Sequence, residues 1–342
     1  MIEVAVVGAG HWGPNLIGNF ESGSRSRVRY VVDPDEGRLA AVRTRFPGIE
    51  TRGEFASILD DPEVDAVVIA TPTRTHFELA RRALEKGKHV LVEKPLSHSV
   101  ATSEELCELS ERLDRLLMVG HVFIYNEAVR EVKNLIEEGE LGRLYYLSMV
   151  RTNLGPIRVD VDAAWDLAAH DISMANFWLD ARPLSLTAMG GAFINEGIAD
   201  VIFATLRYPN EILVNLHVSW LNPRKARDIT LVGEKKMLTF DDVELDTPLK
   251  LYDKQVLEDR ILPDFVDSFA SFRTSVREGV VITPRLERTE PLRNECEHFL
   301  DCIETGKRPL SHGEEGLAVV RILEAISRSQ SEGGREVEVS WP

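Results

Sequence analysis

The tightest constraint on this chain lies at its start. Gly8-Ala9-Gly10-His11-Trp12-Gly13 follows directly on an apolar run at residues 2–7 and precedes a helical stretch at 13–21. A strand that turns through G-x-G-x-x-G into a helix has few ways to fold. The first glycine permits the tight turn, the second lets a phosphate approach the backbone, and the third lets helix and strand pack closely. Pro14 falls in the first helical turn, where its missing N–H costs little. The helix N-terminus then faces whatever anion the turn admits. The pattern predicts the opening unit of a nucleotide-binding α/β sheet, with a plain glycine turn as the bland alternative.

The rest of the first 121 residues repeats this alternation. Apolar runs at 28–32, 66–70, 89–93 and 117–119 alternate with helical patterns at 37–46, 55–59, 75–85 and 103–113, the last capped by Thr102 or Ser103. Near-continuous apolar strands between helices predict a parallel sheet covered on both faces. The pattern then changes. A helix at 128–137 leads into longer strands at 144–152, 184–189, 201–208, 212–220, 228–232 and 236–240. Ile212, Val214, Leu216, Val218 and Trp220 alternate with Leu213, Asn215, His217 and Ser219, the period of a half-buried strand. A helix around 165–179 interrupts these strands. Helices near 289–304 and 313–328 precede a short strand at 336–340, and 241–287 reads as a charged linker. The expected fold is α/β: a doubly wound parallel sheet of Rossmann type over 1–121, then an α+β domain over 122–342 with an open, largely antiparallel mixed sheet.

A length of 342 residues suits two domains, at roughly 100–200 residues each. The net charge of −16 argues against nucleic-acid or anionic-membrane partners, which need a basic surface. Met1 leads straight into a strand with no basic n-region or cleavage site, so no signal peptide is expected. No apolar run approaches the roughly 20 residues needed to span a bilayer. Cys107, Cys296 and Cys302 form no CxxC pair and read as reduced thiols. These features predict a cytoplasmic protein with no metal site.

Asp33 closes the second strand about 20 residues beyond Gly13, where a carboxylate binds the adenosine ribose hydroxyls. It would repel a 2′-phosphate, so NAD(H) is expected over NADP(H). Arg38 either lies against the adenine or attracts a phosphate. Thr71-Pro72-Thr73 is expected to wall the cleft near the nicotinamide ribose, and His76 either contacts the cofactor or is a buried capping histidine. His11 and Trp12 sit inside the phosphate turn. The strand at 89–93 ends in Glu93-Lys94-Pro95 with no turn residue between. Ligands of an open α/β sheet sit outside the carboxyl ends of strands. Lys94 is therefore either an amine over the cofactor cleft, with Glu93 beside it, or a surface lysine after an edge strand. Pro95 fixes the chain direction beyond it.

Trp165-Asp166-Leu167-Ala168-Ala169-His170 supplies a second constellation. Asp166 and His170 are spaced i,i+4, which puts them on one helix face. An imidazole is the natural proton acceptor near neutral pH, and a neighbouring carboxylate orients it and favours its charged form. A surface ion pair or two zinc ligands are the other readings. No H-E-x-x-H or cysteine set accompanies the pair.

Taken together, GAGHWG, Asp33, ATPTRTH at 70–76, VEKPL at 92–96, VGH at 119–121 and Asp166-x-x-x-His170 resemble the Gfo/Idh/MocA oxidoreductase family over essentially the whole chain. The resemblance implies a catalytic group of Lys94, Asp166 and His170 and an often cis Pro95. It also implies a homodimer or homotetramer built through the second sheet, where His217 would face another subunit. His121, at the join of the domains, would contact the nicotinamide ribose or fill the seam. Within the family, Asn153-Leu154-Gly155-Pro156-Ile157-Arg158, VGHVFIYNEAVR at 119–130 and HVSWLNP at 217–223 resemble the sugar-nucleotide branch, which oxidises the C3 hydroxyl of UDP-N-acetylglucosamine or related sugars. That branch often carries proline before the histidine, where this chain has Ala169. The expected sugar contacts are Tyr125, Asn153, Arg158 and Trp165 beside Lys94 and His170. Arg158 would pair with a diphosphate or stay solvated, and Trp165 would wall the ring or join the core. Inositol or free-sugar dehydrogenases and ketosugar reductases share the catalytic group. A non-catalytic NAD(H) sensor is the alternative of another class, and it has no need of an acid–base pair or the lysine.

Overall fold

The computed structural model describes residues 1–256 and 276–341. The chain divides into two compact units, Met1–Asn126 with Thr289–Glu324, and Glu127–Arg288 with Ala325–Pro342.

The first unit holds a six-stranded sheet in the order β3-β2-β1-β4-β5-β6. Its strands are β1 (Ile2–Val7), β2 (Ser26–Val32), β3 (Glu50–Arg52), β4 (Ala66–Ile69), β5 (His89–Glu93) and β6 (Leu117–Gly120), and every pair is parallel. Val4, Val6, Val67, Val68 and Val90 are buried, as strands covered on both faces require. The order reverses between β1 and β4, the switch point at which such sheets open a ligand crevice. The intervening helices are α1 (Gly13–Ser22), α2 (Glu36–Arg45), α3 (Ala56–Leu59), α4 (His76–Glu85) and α5 (Val100–Arg112). Asp35 caps α2 by accepting from the Gly37 and Arg38 N–H groups. The cap of α5 is Ser99, accepting from the Thr102 N–H, so this helix starts earlier than the sequence pattern suggests. Edge strand β3 is short and polar and shows no alternation to betray it.

The second unit holds a nine-stranded sheet in the order β14-β13-β12-β11-β7-β10-β9-β8-β15. Its strands are β7 (Leu144–Leu154), β8 (Ser185–Gly191), β9 (Val201–Arg207), β10 (Leu213–Ser219), β11 (Leu221–Gly233), β12 (Met237–Asp241), β13 (Leu249–Val256), β14 (Val276–Ile282) and β15 (Val337–Glu338). Only β7 and β10 pair in parallel, so the sheet is mixed and largely antiparallel, as expected. Two strands fall inside the expected 241–287 linker. Leu249 and Leu251 are buried there, an alternation hidden by the surrounding charge. Residues 257–275 of that linker lie outside the described residues. Helices α6 (Glu127–Glu137) and α7 (Ala169–Leu179) belong to this unit. A buried ion pair ties α7 to β7, with Arg151 Nη2 2.7 Å from Asp171 Oδ1. Val214, Leu216 and Val218 of β10 are buried, while Met189, Phe203, Leu213 and Tyr146 leave an apolar patch exposed.

Helices α8 (Pro291–Thr305) and α9 (Gly313–Ser331) follow. The expected division at 121/122 assigns residues 289–324 to the second domain, but they pack with the first unit. The apolar face of α8 needs a partner and finds α1: the Phe299 and Phe20 rings meet edge-on with centroids 6.4 Å apart. Beyond α8, Ser311 accepts from the Val119 N–H at 2.7 Å.

Candidate active site

The glycine turn divides its work among three residues. Gly8 has φ +101°, and a Cβ there would lie 2.5 Å from the Ala70 carbonyl oxygen. A Cβ on Gly13 would lie 2.1 Å from Gly8 O, so both positions need glycine simply to fold. A Cβ on Gly10 would meet nothing nearer than Arg38 Nη1 at 3.7 Å. Gly10 therefore borders open space, as a backbone approached by a ligand should. No side chain caps α1; Pro14 has no N–H and Asn15 and Leu16 donate to Trp12 O, so the Gly13 N–H and the helix dipole are what this end offers an anion. Asp33 is 2% exposed. Its Oδ2 accepts from Ala9 N–H at 2.8 Å and its Oδ1 from Asp35 N–H at 2.9 Å, which fixes the carboxylate beside the turn. Arg38 Nη1 lies 3.5 Å from Asp33 Oδ2. These residues fit a dinucleotide: an uncapped helix end for the pyrophosphate and a fixed carboxylate for the ribose. His11 is exposed, and Trp12 is partly buried.

On the opposite wall, Pro72 is exposed and Thr73 buried, and the Thr71 and Thr75 hydroxyls are 2.7 Å apart. His76 is buried, with Nδ1 2.9 Å from Pro95 O and Nε2 2.8 Å from Thr71 O. Its ring joins the cleft wall to the segment after Lys94. That makes it a positioning residue, unlike the cofactor contact held open from sequence. The Lys94–Pro95 bond is cis, as is Gly155–Pro156, which nothing in the sequence announced.

The Glu93 carboxyl packs against Gly120 at the end of β6, and a Cβ on Gly120 would lie 3.1 Å from Glu93 Oε2. Burial pushes the Glu93 carboxyl up to about 7, with Lys94 and the Trp12 indole opposing. His121 is 1% exposed, and neither ring nitrogen has a hydrogen-bond partner among the described residues. Burial, and then the Lys94 charge, lowers its imidazole to about 3, so it is neutral. Tyr125 corrects an expectation: it is 1% exposed, and its hydroxyl sits 2.9 Å from Ser311 Oγ inside the first unit. Asn294 Nδ2 donates to its carbonyl at 3.1 Å. Tyr125 packs this unit together and does not present its hydroxyl to a substrate.

In the second unit, a π-helical turn, Ala164–Ala168, runs directly into α7 and carries Asp166; His170 follows in the first turn of α7. Local π-turns of this kind recur at functional sites. Both Asp166 oxygens accept hydrogen bonds: Oδ1 from Arg158 Nη1 at 3.0 Å and Oδ2 from Trp220 Nε1 at 3.2 Å. Arg158 also grips Asp160, with Nε 2.9 Å from Oδ1 and Nη2 2.6 Å from Oδ2. The expected diphosphate partner is thus bound to two carboxylates, which raise its pKa. Trp165 donates from its indole to Ser327 Oγ at 3.2 Å, and Asn153 donates to Gly155 O. Asn153 thus braces its own loop, while Trp165 ties the π-turn to α9. Trp220 joins the site as a residue that no sequence motif marks, although the alternation over 212–220 places it on the inward face. Lys94 belongs to the first unit, and Asp166 and His170 to the second.

Among the described residues no group of three or more His, Cys, Asp or Glu side chains is placed to hold a metal ion, and no helix is long and apolar enough to cross a membrane.

Comparison with known proteins agrees with this geometry. Residues 2–121 match the family described as "Oxidoreductase family, NAD-binding Rossmann fold", and residues 129–239 match the "GFO/IDH/MocA C-terminal domain". Inositol 2-dehydrogenase 2 of Saccharopolyspora erythraea is 31% identical over 246 residues, covering 68% of this chain and 71% of that protein. The scyllo-inositol 2-dehydrogenase (NAD(+)) of Bacillus subtilis is 27% identical, covering 90% of this chain and 88% of its own. Among solved structures, UDP-N-acetylglucosamine 3-dehydrogenase GnnA from Acidithiobacillus ferrooxidans superposes with a TM-score of 0.81 at 23% identity, over 97% of this chain and 98% of that one. With a nucleotide turn built for NAD and both of its domains matched, the chain belongs to the Gfo/Idh/MocA family of NAD-binding oxidoreductases.

Proposed function

We propose that this protein moves a hydride between NAD(H) and a secondary alcohol or ketone of a sugar, with Lys94, Asp166 and His170 as its catalytic residues. The carrying observation is Asp166, whose two oxygens are held by Arg158 and Trp220 one helical turn before His170. A carboxylate fixed in this way orients an imidazole and stabilises its charge. His170 takes the hydroxyl proton as general base. Lys94 donates to the substrate oxygen as negative charge builds there, an effect worth roughly several kcal/mol. Bound NAD+ supplies the hydride acceptor. The buried His121 stays neutral and adds no second positive charge beside Lys94.

The expected substrate is a nucleotide-linked sugar oxidised at C3, as in UDP-N-acetylglucosamine. A second reading, a cyclitol such as inositol, gains support because Arg158 is occupied by Asp160 and Asp166. Two relatives named as inositol dehydrogenases favour it further. The exposed patch of Met189, Phe203, Leu213 and Tyr146 supports assembly into a homo-oligomer through the second sheet. NADH absorbance, followed while NAD+ and a panel of UDP-sugars, dTDP-sugars, inositols and free aldoses are offered, tests the reading. One class should produce NADH. Lys94→Ala and His170→Ala should each cut that turnover by about 100-fold or more, with NADH affinity nearly unchanged. NADH binding with no turnover on any of them would favour a sensor instead.

A further inference from the structure

Glu295 lies on the inward face of α8, among Leu292, Cys296, Phe299 and Leu300, and its exposure is 0%. A carboxylate on the apolar face of a helix is rare unless it is paired. Here no protein donor reaches either of its oxygens among the described residues. Its neighbours from every side are identifiable. Glu93 lies at the end of β5, and Tyr125 comes from the short 3-10 turn Val122–Tyr125. Cys296 follows it on α8. Beyond Glu93 stand Lys94 and the neutral His121. An ionised Glu295 would be an unsolvated charge with no donor on either oxygen and within electrostatic reach of Glu93, and a group so placed takes up a proton instead.

We propose that Glu93 and the buried Glu295 form an acid pair, with Glu295 the protonated member, and that the charge left on Glu93 keeps Lys94 an ammonium. The proposal rests on the catalytic reading of Lys94 and adds the group that sets its protonation. Burial and the Glu93 charge both push the Glu295 carboxyl well above the usual carboxylate range. Burial also raises Glu93, and the charge of Lys94 draws it back. Two interacting carboxyls lose their protons in steps that belong to the pair. Glu295 touches neither cofactor nor substrate in this scheme. It is a positioning residue acting through Glu93: its neutral dipole lets Glu93 stay ionised beside Lys94.

Two measurements test this. The first is the infrared spectrum of the ligand-free protein at about pH 8.5, above the range in which Glu93 titrates, compared with Glu295→Gln. The wild type should show the carbonyl stretch of a protonated carboxylic acid, shifted in D2O and missing from the variant. Absence of that band overturns the proposal. The second is the pH profile of kcat/KM for wild type, Glu295→Gln and Glu295→Leu. Gln keeps a neutral dipole of the same shape, so its alkaline limb should stay in place. Leu leaves Glu93 against hydrocarbon, so Glu93 takes up a proton and Lys94 loses its counter-charge. The limb should then move down by about one pH unit. An equal shift in both variants, or none in either, overturns the proposal. The infrared comparison needs no substrate. Failure to turn over any sugar would therefore defeat the functional reading while leaving the acid pair separately decided.

Discussion

At Asp166 the division of labour among side chains is legible atom by atom. Arg158 holds one oxygen and Trp220 the other, and Arg158 is itself anchored by Asp160. If Arg158 orients Asp166, then Arg158→Ala should lower kcat about 10-fold for every substrate that turns over, since it removes a charge-assisted hydrogen bond. Lysine, a point charge without the planar fork, should restore only part of it. If Arg158 instead bound a diphosphate, KM for nucleotide sugars alone would rise and kcat would stay. Separate kcat and KM values on an inositol and on a UDP-sugar decide between the two. The Asp166-x-x-x-His170 spacing was readable because it is local. The partner of Arg158 was not, because it depends on how residues 155–160 approach the π-turn. Tyr125 misled for the same reason. A tyrosine beside the VGH motif looks like a substrate contact until Ser311, far along the chain, is found at its hydroxyl.

Among the elements, the turn from β1 into α1 offers the sharpest contrast. Gly13→Ala places a methyl 2.1 Å from Gly8 O, whereas Gly10→Ala meets no atom closer than 3.7 Å. Gly13→Ala should therefore destabilise the first unit by more than about 2 kcal/mol, as severe overpacking does. Gly10→Ala should leave the melting temperature alone and weaken NADH about 10-fold or more by crowding the pyrophosphate. Thermal melts with and without NADH, beside fluorescence titration, would show whether the two variants separate in this way. At the start of α5, Ser99→Ala should cost about 1 kcal/mol of stability in urea unfolding, the usual worth of such a cap. The parallel sheet was legible from sequence because its strands are continuous apolar runs. β3 and β13 were not, because an edge strand and a strand within charged surroundings carry little pattern. The cap of α5 was misplaced by a run of hydroxyl residues, Ser97, Ser99, Thr102 and Ser103, any of which suits an N-terminus.

At the scale of the whole molecule, buried carboxyls tie stability to pH. Glu93 titrates at about 7 when folded against a usual value of 4.5, so across that window the folded chain holds a proton that unfolding releases. The Glu93 contribution is therefore lost as pH rises from about 4.5 through 7, and Glu295, raised in the same direction, carries the loss to higher pH, while His121, lowered to about 3, adds stability up to about pH 6.5 and nothing further above it. The urea midpoint of the ligand-free protein should be lower at about pH 8.5 than at about pH 7, a window above the titration of His121 in either state. Glu295→Gln should flatten the difference; a midpoint that rises with pH would contradict the assignment. On the open face of the second sheet, Phe203 stacks on His217 with centroids 4.4 Å apart and remains 51% exposed. Phe203→Glu should split any assembly built on that face, which light scattering reads as a drop in mass. The most direct test of the account is transfer of deuterium. A substrate found to turn over is labelled at the carbon that becomes the ketone, and NADH is recovered and weighed. NADH should come back heavier by one deuterium, with label transfer collapsing in Lys94→Ala and His170→Ala. Unlabelled NADH, or undiminished transfer in either variant, would contradict it.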